Sequence, residues 1–275
     1  MSQYSPQGFS MLPTGVKNLL IVNILFYLAT IVMDRAMGIS LDDYLALYCV
    51  QSSNFHIWQY VTYMFMHANI DHIFFNMFAL WMFGYVLENI WGTQRFLLYY
   101  MVCGLGAGLV HTLITGANCY LLQEAVNGYA LSPDPDAFVQ LLHRRFEGSY
   151  NPTVVAQFVD AWRVSGGLGD YGSQSVAMAQ QLLDFKASIP TVGASGAVYG
   201  ILLAFGMMFP NERIYLYFLV PLKAKWFVIG YGVLELVLGV FHSADGIAHF
   251  AHLGGMLFGL LFILYWRKKS LNRWN

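Results

Sequence analysis

The chain has 275 residues, 57% of them hydrophobic and only 11% charged, with 14 basic residues and a formal net charge of -1. A soluble domain is far less apolar, so the solvent of most of this chain is lipid. The basic residues form no long run or stripe, which leaves a nucleic-acid partner without an electrostatic basis.

The first 16 residues are polar, lack a basic n-region, and lead into Lys17 and an apolar run with no A-x-A-like cleavage site after it. That run therefore reads as a retained helix rather than a signal peptide. Crossing a hydrocarbon core of about 30 Å takes about 20 mostly apolar residues as helix. Six such runs lie near residues 17–37, 66–87, 95–116, 191–209, 226–242 and 247–266, with Pro210 stopping the fourth and Arg267-Lys268-Lys269 ending the last. The expected fold is an all-α membrane protein, a six-transmembrane-helix bundle formed by residues 1–275 as one membrane domain. If six helices alternate, Lys17, Arg95, Arg213, Lys223, Lys225, Arg267, Lys268, Lys269 and Arg273 all fall on one side. By the positive-inside rule that side, with both termini, is cytoplasmic. The loop 38–65, the turn around Asp245 and the segment 117–190 then face outward.

Residues 117–190 are too polar to span and too long for a structureless loop, so they read as a small extracytoplasmic helical insertion between helices 3 and 4. Asp134-Pro135 and Asn151-Pro152 each look like an N-cap followed by Pro at the first helical position,. They precede Phe138/Leu141/Leu142 and Val155/Phe158/Val159/Trp162 at helical spacing, and a third helix is expected over Ser175–Phe185. Amphipathic stripes usually mean burial, so a packed cap without chemistry is the plain reading, with a substrate or partner role as its rival. Cys49, Cys103 and Cys119 follow no regular spacing, which argues for neither a zinc site nor a disulfide framework,. A Cys49–Cys119 bridge stays open.

Polar side chains are expensive in a membrane, so clusters of them mark candidate sites. One is His67-Ala-Asn69-Ile-Asp71-His72-Ile-Phe-Phe-Asn76, at the outer end of the second helix. His72 and Asn76 stand four residues apart, on one face of a helix, and can donate to one point. Another is split between Gly193-Ala-Ser195-Gly196-Ala-Val-Tyr199-Gly200 and Ala248-His249-Phe-Ala-His252-Leu-Gly-Gly255-Met-Leu-Phe-Gly259. Taken alone, Gly196/Gly200 and Gly255/Gly259 are GxxxG pairs that pack helices closely in lipid. Together they would bring a hydroxyl and an imidazole to one shallow contact, as a Ser/His pair requires.

These residues resemble the rhomboid intramembrane serine proteases. The likeness rests on Gly193-Ala-Ser195-Gly196, on Tyr199, and on His252 in Ala-His-x-x-Gly-x-x-x-Gly. It extends to the His67/His72/Asn76 pattern and Gly84-x-x-x-Glu88-x-x-x-Gly92. It covers the six-helix body and leaves 117–190 outside the pattern; Trp58-Gln59 departs from the Trp-Arg often found there. The resemblance implies an intramembrane endopeptidase with Ser195 as nucleophile and His252 as general base. It also implies an oxyanion held by the Ser195 N–H, His72 and Asn76, with Tyr199 packed on His252. No acidic third member is evident, so the expectation is a dyad. Asp245 sits in a turn, and His111 and Glu235 read as packed, satisfied residues without a motif partner. His67 reads as a loop anchor. Metal binding by His67, Asp71 and His72 is disfavoured because their spacing splays the ligands, and no cofactor is implied.

The partners implied are transmembrane protein substrates within the lipid bilayer, cut after a small residue where the helix can unwind near the extracytoplasmic surface. A bacterial inner membrane fits. A catalytically silent rhomboid-like helix-binding protein would typically lack the Ser or the His, and both are present. A transporter should place ionisable groups at several depths in repeated halves, whereas here they concentrate on one side.

Overall fold

The computed structural model describes residues 10–166, 168–216, 220–241 and 248–271. Asp245 with the turn around it, the first nine residues and Arg273 lie outside the described residues. The chain divides into two compact units, one of Met1–Leu47, His56–His111 and Pro190–Asn275, the other of Tyr48–Phe55 and Thr112–Ile189.

In chain order the helices are α1 (Thr14–Met37), α2 (Asp42–Leu45), α3 (Gln59–Thr62), α4 (Ile70–Trp91), α5 (Thr93–Ala130), α6 (Pro135–Arg145), α7 (Pro152–Val164), α8 (Tyr171–Ala187), α9 (Ser195–Met208), α10 (Ala224–Phe241) and α11 (His249–Leu271). Five of them, α1, α4, α5, α10 and α11, are long and apolar enough to cross a membrane. The protein is a helical, multi-pass integral membrane protein.

The sixth expected span is shorter than its apolar run. Helix α9 starts at Ser195, not near 191, and has 14 residues, about 21 Å at 1.5 Å per residue. A helix of that length cannot cross about 30 Å of hydrocarbon alone. It compensates by burial, with Gly196, Ala197, Gly200, Ile201 and Ala204 all enclosed as it packs on α11, α4 and α10. Small residues set its distance from α11 and α5: a methyl group on Gly255 of α11 would overlap the Gly196 carbonyl, and one on Gly200 would strike Cys103 of α5. Tyr99 donates to the Gly200 carbonyl at 2.8 Å.

Helix α1 begins after Pro13 without a side-chain cap of its own. The buried Glu88 carboxylate, near the end of α4, accepts from the Gly15 N–H and the Val16 N–H at 2.7 Å each, and from Thr93 Oγ1 at 2.6 Å. An anion there also suits the positive end of the helix dipole. Gly92 turns the chain out of α4 with φ of 79°. Gln59 is fully buried, accepts from the His56 N–H at 3.0 Å, and so ties the loop ahead of α4 from within.

Between α9 and α10 two strands pair antiparallel, β1 (Arg213–Leu216) with β2 (Val220–Lys223), in the register Arg213↔Lys223 to Leu216↔Val220. This stretch is too short and too mixed in pattern to announce strands beforehand.

The second unit takes in nearly all of the segment 117–190. Asp134 accepts from the Asp136 and Ala137 N–H groups, and Asn151 from those of Thr153 and Val154, so both expected N-caps form. The third helix covers Tyr171–Ala187. The three helices enclose Phe138, Leu142, Phe146, Val159, Trp162 and Leu183. Helix α5 does not end near residue 116; it continues to Ala130 because Val126 and Tyr129 join this core. Cys49, Cys103 and Cys119 are free and buried, with Cys49 and Cys119 beside Ala187 in one cluster.

Candidate active site

The start of α9 is built by the residues ahead of it. Gly193 has φ of 129°, a left-handed conformation costly for any other residue, and its N–H donates to the Tyr63 carbonyl at 2.9 Å. A Cβ at this position would lie 2.7 Å from His72 Nε2, so glycine lets that imidazole approach the chain. Ser195 is the first residue of α9 and Ala194 offers no side-chain cap. The first N–H groups of a helix have no acceptor within it and point toward any anion placed there.

Helix α11 presents His252 to this end. Its Nε2 lies 2.8 Å from Ser195 Oγ, within reach for proton transfer. The Tyr199 ring, one turn along α9, stacks on the His252 ring with centroids 4.3 Å apart and planes at 4°. His252 is 8% exposed, while Ser195 keeps partial access.

Helix α4 supplies the third wall. Asn69 caps it by accepting from the His72 N–H at 2.8 Å. His72 Nδ1 accepts from the Ala68 N–H at 3.4 Å, which leaves Nε2 to carry the proton of the neutral ring, on the side of Gly193. Asn76 is buried and its Nδ2 has no hydrogen-bond partner. A buried donor left unmade costs about 1–3 kcal/mol, an expense understandable where a ligand oxygen completes it.

His67 is 3% exposed and both its ring nitrogens lack partners; its ring meets that of His72 edge-on at 5.1 Å. Burial, helped by the neighbouring His72, pulls it down from 6.5 to about 4. Between those values the unfolded chain binds a proton that the folded one refuses, so stability should fall as pH drops from 6.5 toward 4. His67→Gln should flatten this dependence in thermal unfolding at pH 7 and pH 4.5. An unaltered slope would place the acid sensitivity elsewhere.

His111 is satisfied, as expected, by Thr191 Oγ1 at 2.7 Å from its Nε2. Glu235 is likewise packed and satisfied, but its partners belong to the site. From α10 its Oε2 lies 2.6 Å from His249 Nδ1 and 2.9 Å from His252 Nδ1, and its Oε1 accepts from the Tyr199 hydroxyl. An acidic group therefore does stand behind His252. The available signal was an ionisable residue inside an otherwise apolar span; which helix it would face was not readable.

Residues 54–128 and 157–269 match the Rhomboid domain. The match takes in parts of the segment 117–190. An uncharacterized mitochondrial rhomboid protein of Schizosaccharomyces pombe is 26% identical over 223 residues, 78% of this chain and 53% of that protein. The rhomboid protease GlpG of Yersinia pestis is 29% identical over 156 residues, 56% of this chain and 49% of that protein. GlpG of Yersinia pseudotuberculosis matches to the same extent. The chain spans about half the length of these curated relatives.

Proposed function

The chain belongs to the rhomboid family, and from that premise we propose that it is an intramembrane serine endopeptidase cleaving transmembrane segments near the extracytoplasmic surface. The observation that carries this reading is the 2.8 Å approach of His252 Nε2 to Ser195 Oγ. Ser195 Oγ adds to the scissile carbonyl carbon as its proton passes to His252 Nε2. The carbonyl electron pair moves onto oxygen, where the Ser195 N–H, His72 Nε2–H and Asn76 Nδ2–H receive it. The intermediate collapses, the C–N bond breaks, and Nε2 returns the proton to the leaving amine. Water then repeats the sequence on the acyl-enzyme, with His252 as base, and frees Ser195.

The substrates are single-pass membrane proteins whose helix unwinds locally, because a helical carbonyl is already hydrogen-bonded and unavailable. Gly or Pro near the cut favours this, and a small residue precedes it. Residues 1–275 act as one domain with 117–190 as an extracytoplasmic insertion, in a bacterial inner membrane with both termini cytoplasmic.

The test is to expose the purified protein in detergent to a fluorophosphonate probe and a model transmembrane substrate. Label mapped to Ser195, together with cleavage, supports the peptidase. A folded protein that neither labels nor cleaves would instead be a helix-binding member of the family. Asn76→Ala is expected to lower kcat by about 10²-fold, because one oxyanion donor is lost while others remain; steady-state kinetics would check this, and an unchanged kcat would remove Asn76 from the hole.

A further inference from the structure

Glu235 sits in α10 among apolar residues and is 6% exposed. A carboxylate so placed is tolerated only if donors surround it. Two bond it from two neighbouring helices, the Tyr199 hydroxyl of α9 to Oε1 and His249 Nδ1 of α11 to Oε2, and His252 Nδ1 of α11 stands 2.9 Å from Oε2. One ligating atom each from Glu235, His249 and His252 lies within 4.8 Å of the others, a spacing that a metal ion could also use. Two donors sharing one ion at about 2.0–2.2 Å in tetrahedral geometry stand more than about 3 Å apart. The contacts of 2.6 Å and 2.9 Å to Oε2 are the separations of charge-assisted hydrogen bonds instead.

The tautomer of His252 connects this cluster to the reaction. For Nε2 to accept the Ser195 proton, the neutral ring must carry its own proton on Nδ1. Glu235 Oε2 is 2.9 Å from that nitrogen, although Nδ1 has no aligned hydrogen bond in the resting protein. Contacts of this kind commonly tighten only when substrate is bound. Tyr199 and His249 hold the two carboxylate oxygens, and Tyr199 also stacks on the His252 ring. The acid and the ring it faces are thus fixed by the same side chain.

We infer that Glu235 is a positioning residue: its carboxylate holds His252 in the Nδ1–H tautomer and offsets the charge the ring gains when it takes the Ser195 proton. This rests on the peptidase reading and extends it from a pair of residues to a buried relay of Glu235, His252 and Ser195, with Tyr199 and His249 as its struts.

The decisive comparison is between Glu235→Gln, which keeps shape and loses charge, and Glu235→Asp, which keeps charge and shortens the side chain. If the carboxylate acts on His252, Gln should lower kcat for a model transmembrane substrate by about 10²- to 10⁴-fold, the range known for an orienting acid, with KM within threefold. Asp should retain more activity than Gln. A purely structural role predicts the opposite order, so Gln outperforming Asp, or a Gln variant within threefold of wild-type kcat, overturns the proposal. A measurement on unsubstituted protein guards against variants that do not fold. In ¹⁵N-histidine-labelled protein in bilayers, the His252 ring, assigned by its loss in His252→Ala, should show the proton on Nδ1; a proton on Nε2 overturns the inference. Wild-type protein that does not cleave would overturn the peptidase reading and this inference with it, whereas active wild type with an indifferent Glu235 overturns this inference alone.

Discussion

Ser195→Ala and His252→Ala should each lower kcat by about 10⁴-fold or more, and the double variant should be no slower than the worse of the two. In the proposed mechanism the nucleophile and its base act as one unit, so removing either leaves the other nothing to do. Without His252 the hydroxyl of Ser195 keeps its proton and is a poor nucleophile; without Ser195 the imidazole has no oxygen to activate at 2.8 Å,. The oxyanion donors stay in place, which is why residual turnover above background is expected in all three variants. Folding of Ser195→Ala should be unaffected, because Ser195 is only partly enclosed and its replacement removes a single hydrogen bond, worth about 1 kcal/mol. Single-turnover cleavage with thermal unfolding as a control decides the matter. Losses that multiply in the double variant would mean that the two residues serve separate steps.

The second large effect concerns packing. Gly255→Ala puts a methyl group into the Gly196 carbonyl and backbone. No flexible side chain can swing aside there, so α9 and α11 must separate. Overpacking of this kind costs about 1–3 kcal/mol or more, and separation would stretch the Ser195–His252 contact that these helices carry. We expect either a protein that melts well below wild type or a folded one with kcat reduced about 10²-fold. Gly230→Ala is the matched control, since nothing lies within 4 Å of the added carbon; alanine there should be neutral or stabilise by up to about 1 kcal/mol. Equal behaviour of the two variants would show that the α9–α11 contact is looser than it stands.

These two cases also show what was legible beforehand. The paired small residues on α9 and α11 state in the sequence that two backbones meet, and the hydroxyl and imidazole beside them state why. The Asp134-Pro135 and Asn151-Pro152 starts were equally readable, since capping is a local transaction between a side chain and the next few N–H groups. Features set by distant partners were not readable. Helix α5 runs past residue 116 because its last turns find a core made by residues further on. Helix α9 begins late because Gly193 adopts a conformation that ends the extended entry and starts the helix at Ser195. Glu235 reads from the sequence as packed and satisfied, but its partners could not be named there because they stand on other helices, 14 to 36 residues away in sequence.

The Glu88 cap of α1 bears on how the protein is made. The carboxylate that satisfies Gly15 and Val16 is encoded 72 to 73 residues after them, a delay of about 4–15 s at about 5–20 residues per second of synthesis. During that interval α1 would have its opening N–H groups unanswered by Glu88, which would favour keeping its first turn at the headgroup layer where water can serve them. Its docking is therefore a step that waits for the end of α4 to emerge, and a ribosome stalled before residue 88 would carry an α1 not yet attached.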